Sequence, residues 1–166
     1  DTSGRRSRRV LDLRPQIGAY APMSAAPPAS PCTCFRVRKL TRLMSQRYDR
    51  RLAAAGLNLN QYSILRRLGD RARAIGDLAR ELGMDRSTLS RDLRPLLASG
   101  WIEPAEGEDA RQRPVRVTAA GRRALARAVP LWREAQDDIE ALLGGERTAR
   151  LHAQLDFALA RLQEAA

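Results

Sequence analysis

Between Ile75 and Thr118 the chain carries two short helix-periodic segments split by Gly83–Met84–Asp85, then two short extended segments around a polar, Gly-containing loop. Leu78, Ala79 and Leu82 recur at helical spacing, and Gly83 follows where a helix end favours a left-handed residue. Asp85 stands at an N-cap position, where its carboxylate can accept backbone N–H bonds of the next helix. In that helix Leu89, Leu93, Leu96 and Leu97 fall on one face, Ser87, Arg91 and Arg94 on the opposite face, and Thr88 and Ser90 on the flanks. After Gly100, Trp101–Ile102–Glu103 begins an extended run, and Arg113–Thr118 alternates Val115 and Val117 against Arg116. Gly107 to Gln112 suits a hairpin tip. This order predicts a mainly α fold with a small β-hairpin wing: a winged helix-turn-helix.

A leucine stripe opposite Ser, Thr and Arg suits a helix seated in a DNA major groove. The apolar side anchors it, while hydroxyls and guanidiniums reach phosphates and base edges. The candidate contacts are Ser87, Thr88, Ser90, Arg91 and Arg94 from the helix, with Arg111 and Arg113 projecting from the hairpin toward a minor groove. An ordinary amphipathic surface helix would carry the same stripe. The hairpin behind it is what favours the DNA reading. Pro95 is expected to remove one internal helix bond and bend the helix near Arg91.

Outside this motif the sequence predicts long helices with faces to cover. A first helix is expected over 34–55, with Val37, Leu40, Met44, Tyr48 and Leu52 as its buried face. Asn58 and Gln61 have capping-box spacing before the next helix. Leu125, Val129, Trp132, Ile139 and Leu143 form a further stripe, in a helix that Pro130 should kink. Leu151, Leu155, Ala158 and Leu162 form another after the Gly144–Gly145 break. Such stripes require another helix, from this chain or from a second copy. The expected organisation is a 1–31 tail without stable structure, a 32–56 N-terminal dimerisation helix, a 57–118 winged helix-turn-helix lobe and 119–166 C-terminal dimerisation helices.

The formal net charge of +11 in 166 residues points to a polyanionic partner. Lys39 is the only lysine, however, and an Arg- and Ala-rich, Lys-poor chain also reflects a GC-rich genome. The placement of charge on helix and hairpin therefore says more than its total. Only 4% of residues are aromatic, so the core must be built mainly from Leu, Ala and Val. The first 31 residues are Arg-rich, then Pro/Ala/Ser-rich, and bury too little to fold alone. They are read as a basic tail, with residues 1–22 expected to be upstream translated or added sequence preceding Met23. Ser7–Arg8–Arg9 is not followed by the apolar region an export signal needs, and no segment is long and apolar enough to span a membrane. A cytoplasmic location is expected.

The segment LARELGMDRSTLSRDLRPLLASGWI, the pair Asp109–x–Arg111 and Thr118–Ala–Ala–Gly121 resemble the MarR family of winged-helix regulators, over roughly residues 34–164. The resemblance implies a homodimer built from the two chain ends, binding a pseudo-palindromic operator in double-stranded DNA, usually as a repressor. It also implies that Asp109 fixes the wing loop and Arg111 enters the minor groove. Ala110 departs from the Arg found there in many members, and Ala74 stands where a Ser or Thr usually caps the first helix of the motif. A winged-helix module that binds protein and uses its basic face nonspecifically is the lesser alternative.

Cys32 and Cys34 form a C-x-C pair, too few ligands for a zinc site, and His152 is remote in sequence. No metal, cofactor or enzymatic activity is expected. The pair resembles the organic-hydroperoxide-sensing branch of the family, in which a reactive Cys opens the first helix and tyrosines bond its thiolate across the dimer. Cys34–Phe35 stands at that start, Tyr48 matches one of the tyrosines, and Gln61–Tyr62 falls in register. Arg38 occupies the position of another tyrosine; its guanidinium would instead favour the thiolate of Cys34. Oxidation could then join Cys34 to Cys32 or to a cysteine of a second subunit. The alternatives are idle thiols, with Tyr48 as plain core, and a small aromatic or phenolic ligand as the trigger.

Overall fold

The computed structural model describes residues 31–106 and 114–165. The chain runs through α1 (Thr33–Leu52), a 3-10 turn (Ala53–Ala55), α2 (Leu59–Leu68), α3 (Ile75–Glu81) and α4 (Arg86–Ala98). It continues through β1 (Ile102–Pro104), β2 (Val115–Val117), α5 (Ala119–Leu143) and α6 (Gly145–Glu164). The two strands pair antiparallel, with Ile102 opposite Val117 and Pro104 opposite Val115. This is a winged helix-turn-helix framed by long helices, as expected.

Local signals fix where the elements begin. Asn58 and Gln61 form a reciprocal capping box at α2, each side chain accepting the other's backbone N–H at 2.9 and 3.0 Å. Asp49, near the end of α1, accepts the Leu59 N–H at 2.7 Å, so α2 begins against α1. The Ala74 start of α3 has no side-chain cap, in keeping with its sequence. Thr118 caps α5, its hydroxyl accepting the Gly121 N–H at 3.1 Å and donating to the Gly100 carbonyl at 2.6 Å.

The core lies where α2 meets the other elements. Leu52, Ile64, Leu65, Leu68, Leu78, Leu89, Leu96 and Ile102 are fully buried and come from α1, α2, α3, α4 and β1. Each such side chain contributes roughly 1.5–3 kcal/mol of burial. The stripe on α4 is narrower than expected: Leu89, Leu93 and Leu96 are buried, whereas Leu97 is 40% exposed. At 3.6 residues per turn Leu97 has rotated off the seam that Leu89 and Leu93 define. Pro95 does not interrupt α4, which runs through to Ala98; Pro95 is exposed, on the side where water can replace its missing donor. Pro130 likewise stands on the exposed side of an unbroken α5.

Helix α5 buries a different face from the one its large residues suggest. Its buried positions are Gly121, Ala124, Ala128, Ala135 and Ile139, with Leu125, Val129, Trp132 and Leu143 half-buried on the flanks. Small residues let the backbone of α5 approach the core closely, which a search for large apolar residues cannot register. In α1, Tyr48 and Leu52 are buried, Leu40 and Met44 are half-buried, and Val37 is exposed. Val37 lies beyond the reach of the core within this chain. The same holds for α6: Leu151 and Leu155 are half-buried, while Ala158 and Leu162 are exposed.

Candidate nucleic-acid interface

The helix-turn-helix is built from α3, the turn at Leu82–Asp85 and α4. Gly83 has φ of 62°, the left-handed conformation that reverses the chain here. Leu78 and Ala79 of α3 and Leu89, Leu93 and Leu96 of α4 belong to the same buried cluster. That leaves Ser87, Ser90, Arg91 and Arg94 exposed on α4, with Thr88 half-buried beside them. Asn60 of α2 donates to Asp92 at 3.2 Å, tying α4 to the helix beneath.

At the start of α4 a single carboxylate organises its neighbours. Asp85 Oδ1 accepts the Thr88 backbone N–H at 2.8 Å and the Ser87 hydroxyl at 2.6 Å, and Oδ2 accepts the Thr88 hydroxyl at 2.7 Å. Donation by the Ser87 and Thr88 hydroxyls, with the Thr88 N–H, holds the Asp85 carboxyl well below the usual carboxylate range. Arg91 Nη2 in turn donates to Thr88 Oγ1 at 3.2 Å. The cap was legible in the sequence, but this hydroxyl network was not. Hydroxyls two and three residues after a capping Asp were its available signal.

The described base of the wing is joined to both flanking elements. Arg73, in the connection between α2 and α3, exchanges two backbone bonds with Val115, adding a third short edge to the hairpin. Its guanidinium meets Glu81 at 2.6 Å and the Arg67 carbonyl at 2.9 Å. Arg116 donates to Glu103 across the strands at 2.7 Å. Gly121 lies directly under Trp101: an added Cβ would stand 2.0 Å from the Trp101 carbonyl oxygen. Asp109, Arg111 and Arg113 lie outside the described residues.

The residues of the proposed thiol switch are spread along α1 and its N-cap. Cys32 is the N-cap of α1, Cys34 lies in its first turn, and both are exposed. Arg38 follows Cys34 by four residues and so shares its helix face. Tyr48 lies fourteen residues along the same helix, about 21 Å away. Its hydroxyl donates to Gln136 Oε1, and its ring stacks on Trp132 at 6.2 Å. Burial, and secondarily Glu140, raises the Tyr48 pKa, so it stays a phenol.

Between α2 and α5 there is a cleft of about 310 Å³ lined by Tyr62, Arg66, Arg67, Trp132 and Arg133 among others. Tyr62 stacks on Trp132 at 5.9 Å, so the indole stacks with two tyrosines contributed by different helices. Burial raises the Tyr62 pKa against the opposing charges of Arg66 and Arg133. Neither the stacked triplet nor the cleft was legible in the sequence. Among the described residues no group of acids, histidines and cysteines is placed to hold a metal, and no helix is long and apolar enough to cross a membrane.

Comparison with known proteins gives these features a context. A model of the MarR family matches residues 55–112. The M. tuberculosis transcriptional regulator MosR, solved in complex with DNA, is 36% identical, with a TM-score of 0.68 over 79% of this chain and 98% of that one. A second MosR crystal structure is 33% identical, with a TM-score of 0.67 over 80% and 98%. The transcriptional repressor CouR, bound to p-coumaroyl-CoA, shares the fold at a TM-score of 0.70 and 22% identity, over 77% of this chain and 91% of that one. No curated protein sequence matches this one significantly.

Proposed function

Since the chain belongs to the MarR family of DNA-binding transcriptional regulators, we propose that it is a homodimeric repressor released from its operator by oxidation of Cys34. The observation that carries the DNA half of this reading is the exposed Ser87, Ser90, Arg91 and Arg94 surface, with Thr88 half-buried beside it, on a helix pinned by three buried leucines. Asp109, Arg111 and Arg113 would extend the contact from the wing. Dimerisation is supported by the apolar residues that α1 and α6 leave uncovered: Phe35, Val37, Phe157, Leu159 and Leu162 are 43–72% exposed. A two-fold dimer requires half-sites about one helical turn apart.

The exposure of Cys34 in the first turn of a 20-residue helix supports the switch. Cys34 lies at the N-terminus of α1, with Arg38 one turn on along the same face. An organic hydroperoxide would transfer one oxygen to the Cys34 thiolate, giving the alcohol and a sulfenic acid. A second thiol, from Cys32 or a cysteine of another subunit, would then condense with the sulfenic acid, forming a disulfide and releasing water. Tyr48 can take part only across a dimer, given its distance along the same helix.

The cleft supports a second reading. Stacked aromatic walls and three arginines suit a small aromatic anion, which would release DNA by preferring a spacing of the two α4 helices that cannot engage it. A DNA titration at fixed salt separates the two readings. Reduced protein, hydroperoxide-treated protein and treated Cys34→Ser are compared on the gene's own upstream region. Release of the wild type with retention of the variant is the expected result. Retention of treated wild type overturns the thiol switch and moves the search to aromatic ligands.

A further inference from the structure

The hydroxyl network at the start of α4 bears on which bases the helix reads, and the inference rests on the DNA-binding reading above. A hydroxyl has one proton and two acceptor lone pairs. The Ser87 and Thr88 protons both point at Asp85, at 2.6 and 2.7 Å, the short range of bonds to an ionised acceptor. Thr88 Oγ1 also receives Arg91 Nη2, so the same oxygen that gives its proton to the acid accepts from the base. What remains on these two side chains is acceptor capacity.

We propose that Asp85 sets the hydrogen-bond polarity of the recognition surface: Ser87 and Thr88 meet DNA as acceptors, while Arg91 donates beside them. Their match in the major groove is an exocyclic amino group, adenine N6 or cytosine N4, rather than guanine O6/N7 or thymine O4. A phosphate cannot readily take the protons over, because it would have to approach an ionised carboxylate, a like charge, to do so. Neutral base acceptors offer weaker bonds than the ones given up. The Asp85 carboxyl is held ionised by the bonds it accepts, so it does not become a donor at working pH. Thr88 also positions Arg91, which Asp85 therefore orients through one intermediate oxygen.

The discriminating variant is Asp85→Asn. Asparagine is as good an N-cap, so its carbonyl oxygen keeps the Thr88 N–H while its amide nitrogen donates to Thr88 Oγ1 and turns that proton outward. Wild type, Asp85→Asn and Thr88→Val are each used to select from a randomised operator library, with thermal melts confirming equal folding. In the wild type one position per half-site favours adenine or cytosine on the contacted strand, by about threefold to tenfold, the worth of one hydrogen bond. Asp85→Asn is expected to move that preference to guanine or thymine, and Thr88→Val to abolish it. A change in affinity that is uniform over all sequences, with the base profile of Asp85→Asn unmoved, reduces Asp85 to a helix cap and overturns the proposal. If Asp85→Asn fails to fold, an unmoved profile in Thr88→Val does the same. A wild type that enriches no sequence overturns this proposal together with the regulator reading, whereas an enriched sequence insensitive to Asp85 and Thr88 overturns this proposal alone.

Discussion

Gly121→Ala should uncouple the wing from α5, and its size can be worked from the packing. A Cβ at residue 121 would lie 2.0 Å from the Trp101 carbonyl oxygen, 2.8 Å from Val117 Cγ1 and 2.9 Å from the Trp101 carbonyl carbon. Ordinary contact begins near 3.4 Å, so the first turn of α5 and the Trp101 peptide must separate by about 1.4 Å. Backbone atoms cannot rotate away as side-chain ends do. The Thr118 hydroxyl, which bridges Gly100 and the Gly121 N–H, is displaced with them. Overpacking of this kind costs about 1–3 kcal/mol, and loss of a cap about 1 more. The helix propensity gained on replacing glycine returns about 1 kcal/mol. A net loss of about 1–3 kcal/mol should lower Tm by about 2–12 °C for a chain of this length, at fixed protein concentration. Gly145→Ala is the control, since nothing lies within 4 Å of an added Cβ there, and it should be neutral or raise Tm by a few degrees. If Gly121→Ala melts at or above the wild type, propensity outweighs contact and the close approach of α5 to the wing is wrong.

Arg91→Ala should relax base preference at the position it reads, at a cost of about 1–3 kcal/mol on the preferred site, whereas Arg111→Ala should weaken all sequences alike and reduce the salt slope by about one. Competition titrations at several salt concentrations distinguish them, and equal losses on every sequence from both would reject the assigned roles. Leu162→Glu, at a residue 72% exposed in the single chain, should shift sedimentation toward monomer and lose operator affinity with it; a dimer unaffected by this charge places the interface elsewhere. Asp85 has a folded pKa below its unfolded value, so the stability it contributes is present above about pH 4 and fades as the pH falls further. The difference in melting temperature between wild type and Asp85→Ala should therefore be constant from neutral pH down to mild acid and shrink only below it. A difference that already collapses near pH 6 would point to another titrating group.

Much of the site was legible because its signals are local. The Asp85 cap, the Asn58–Gln61 box, the Gly83 turn and the Val115/Val117 alternation each depend on residues within four positions of one another. Hydrophobic spacing found the α4 seam but included Leu97, because a stripe read from sequence does not reveal where its partner surface ends. On α5 the same method chose the large residues, of which Ile139 alone is buried, while the rest of the face nearest the core is Gly121 and alanines, which carry little hydrophobic signal. The stacking of Trp132 with Tyr48 and Tyr62, the Arg73–Val115 bridge and the cleft beside Tyr62 all join residues at least forty positions apart in one or more of their contacts. No periodicity encodes such meetings.

Sequence alone therefore determined the order of elements, the winged helix-turn-helix and the polar face that α4 turns away from the core, since caps, turns and one-sided stripes act through short-range sterics and hydrogen bonding. Tertiary structure decided which apolar faces close within the chain and which remain open. It also decided how near α5 can approach the wing, and where the protons of Ser87 and Thr88 are held. The first two depend on the shape of distant surfaces brought into contact. The last depends on the folded rotamers around one carboxylate, for which sequence supplies the groups but not their directions.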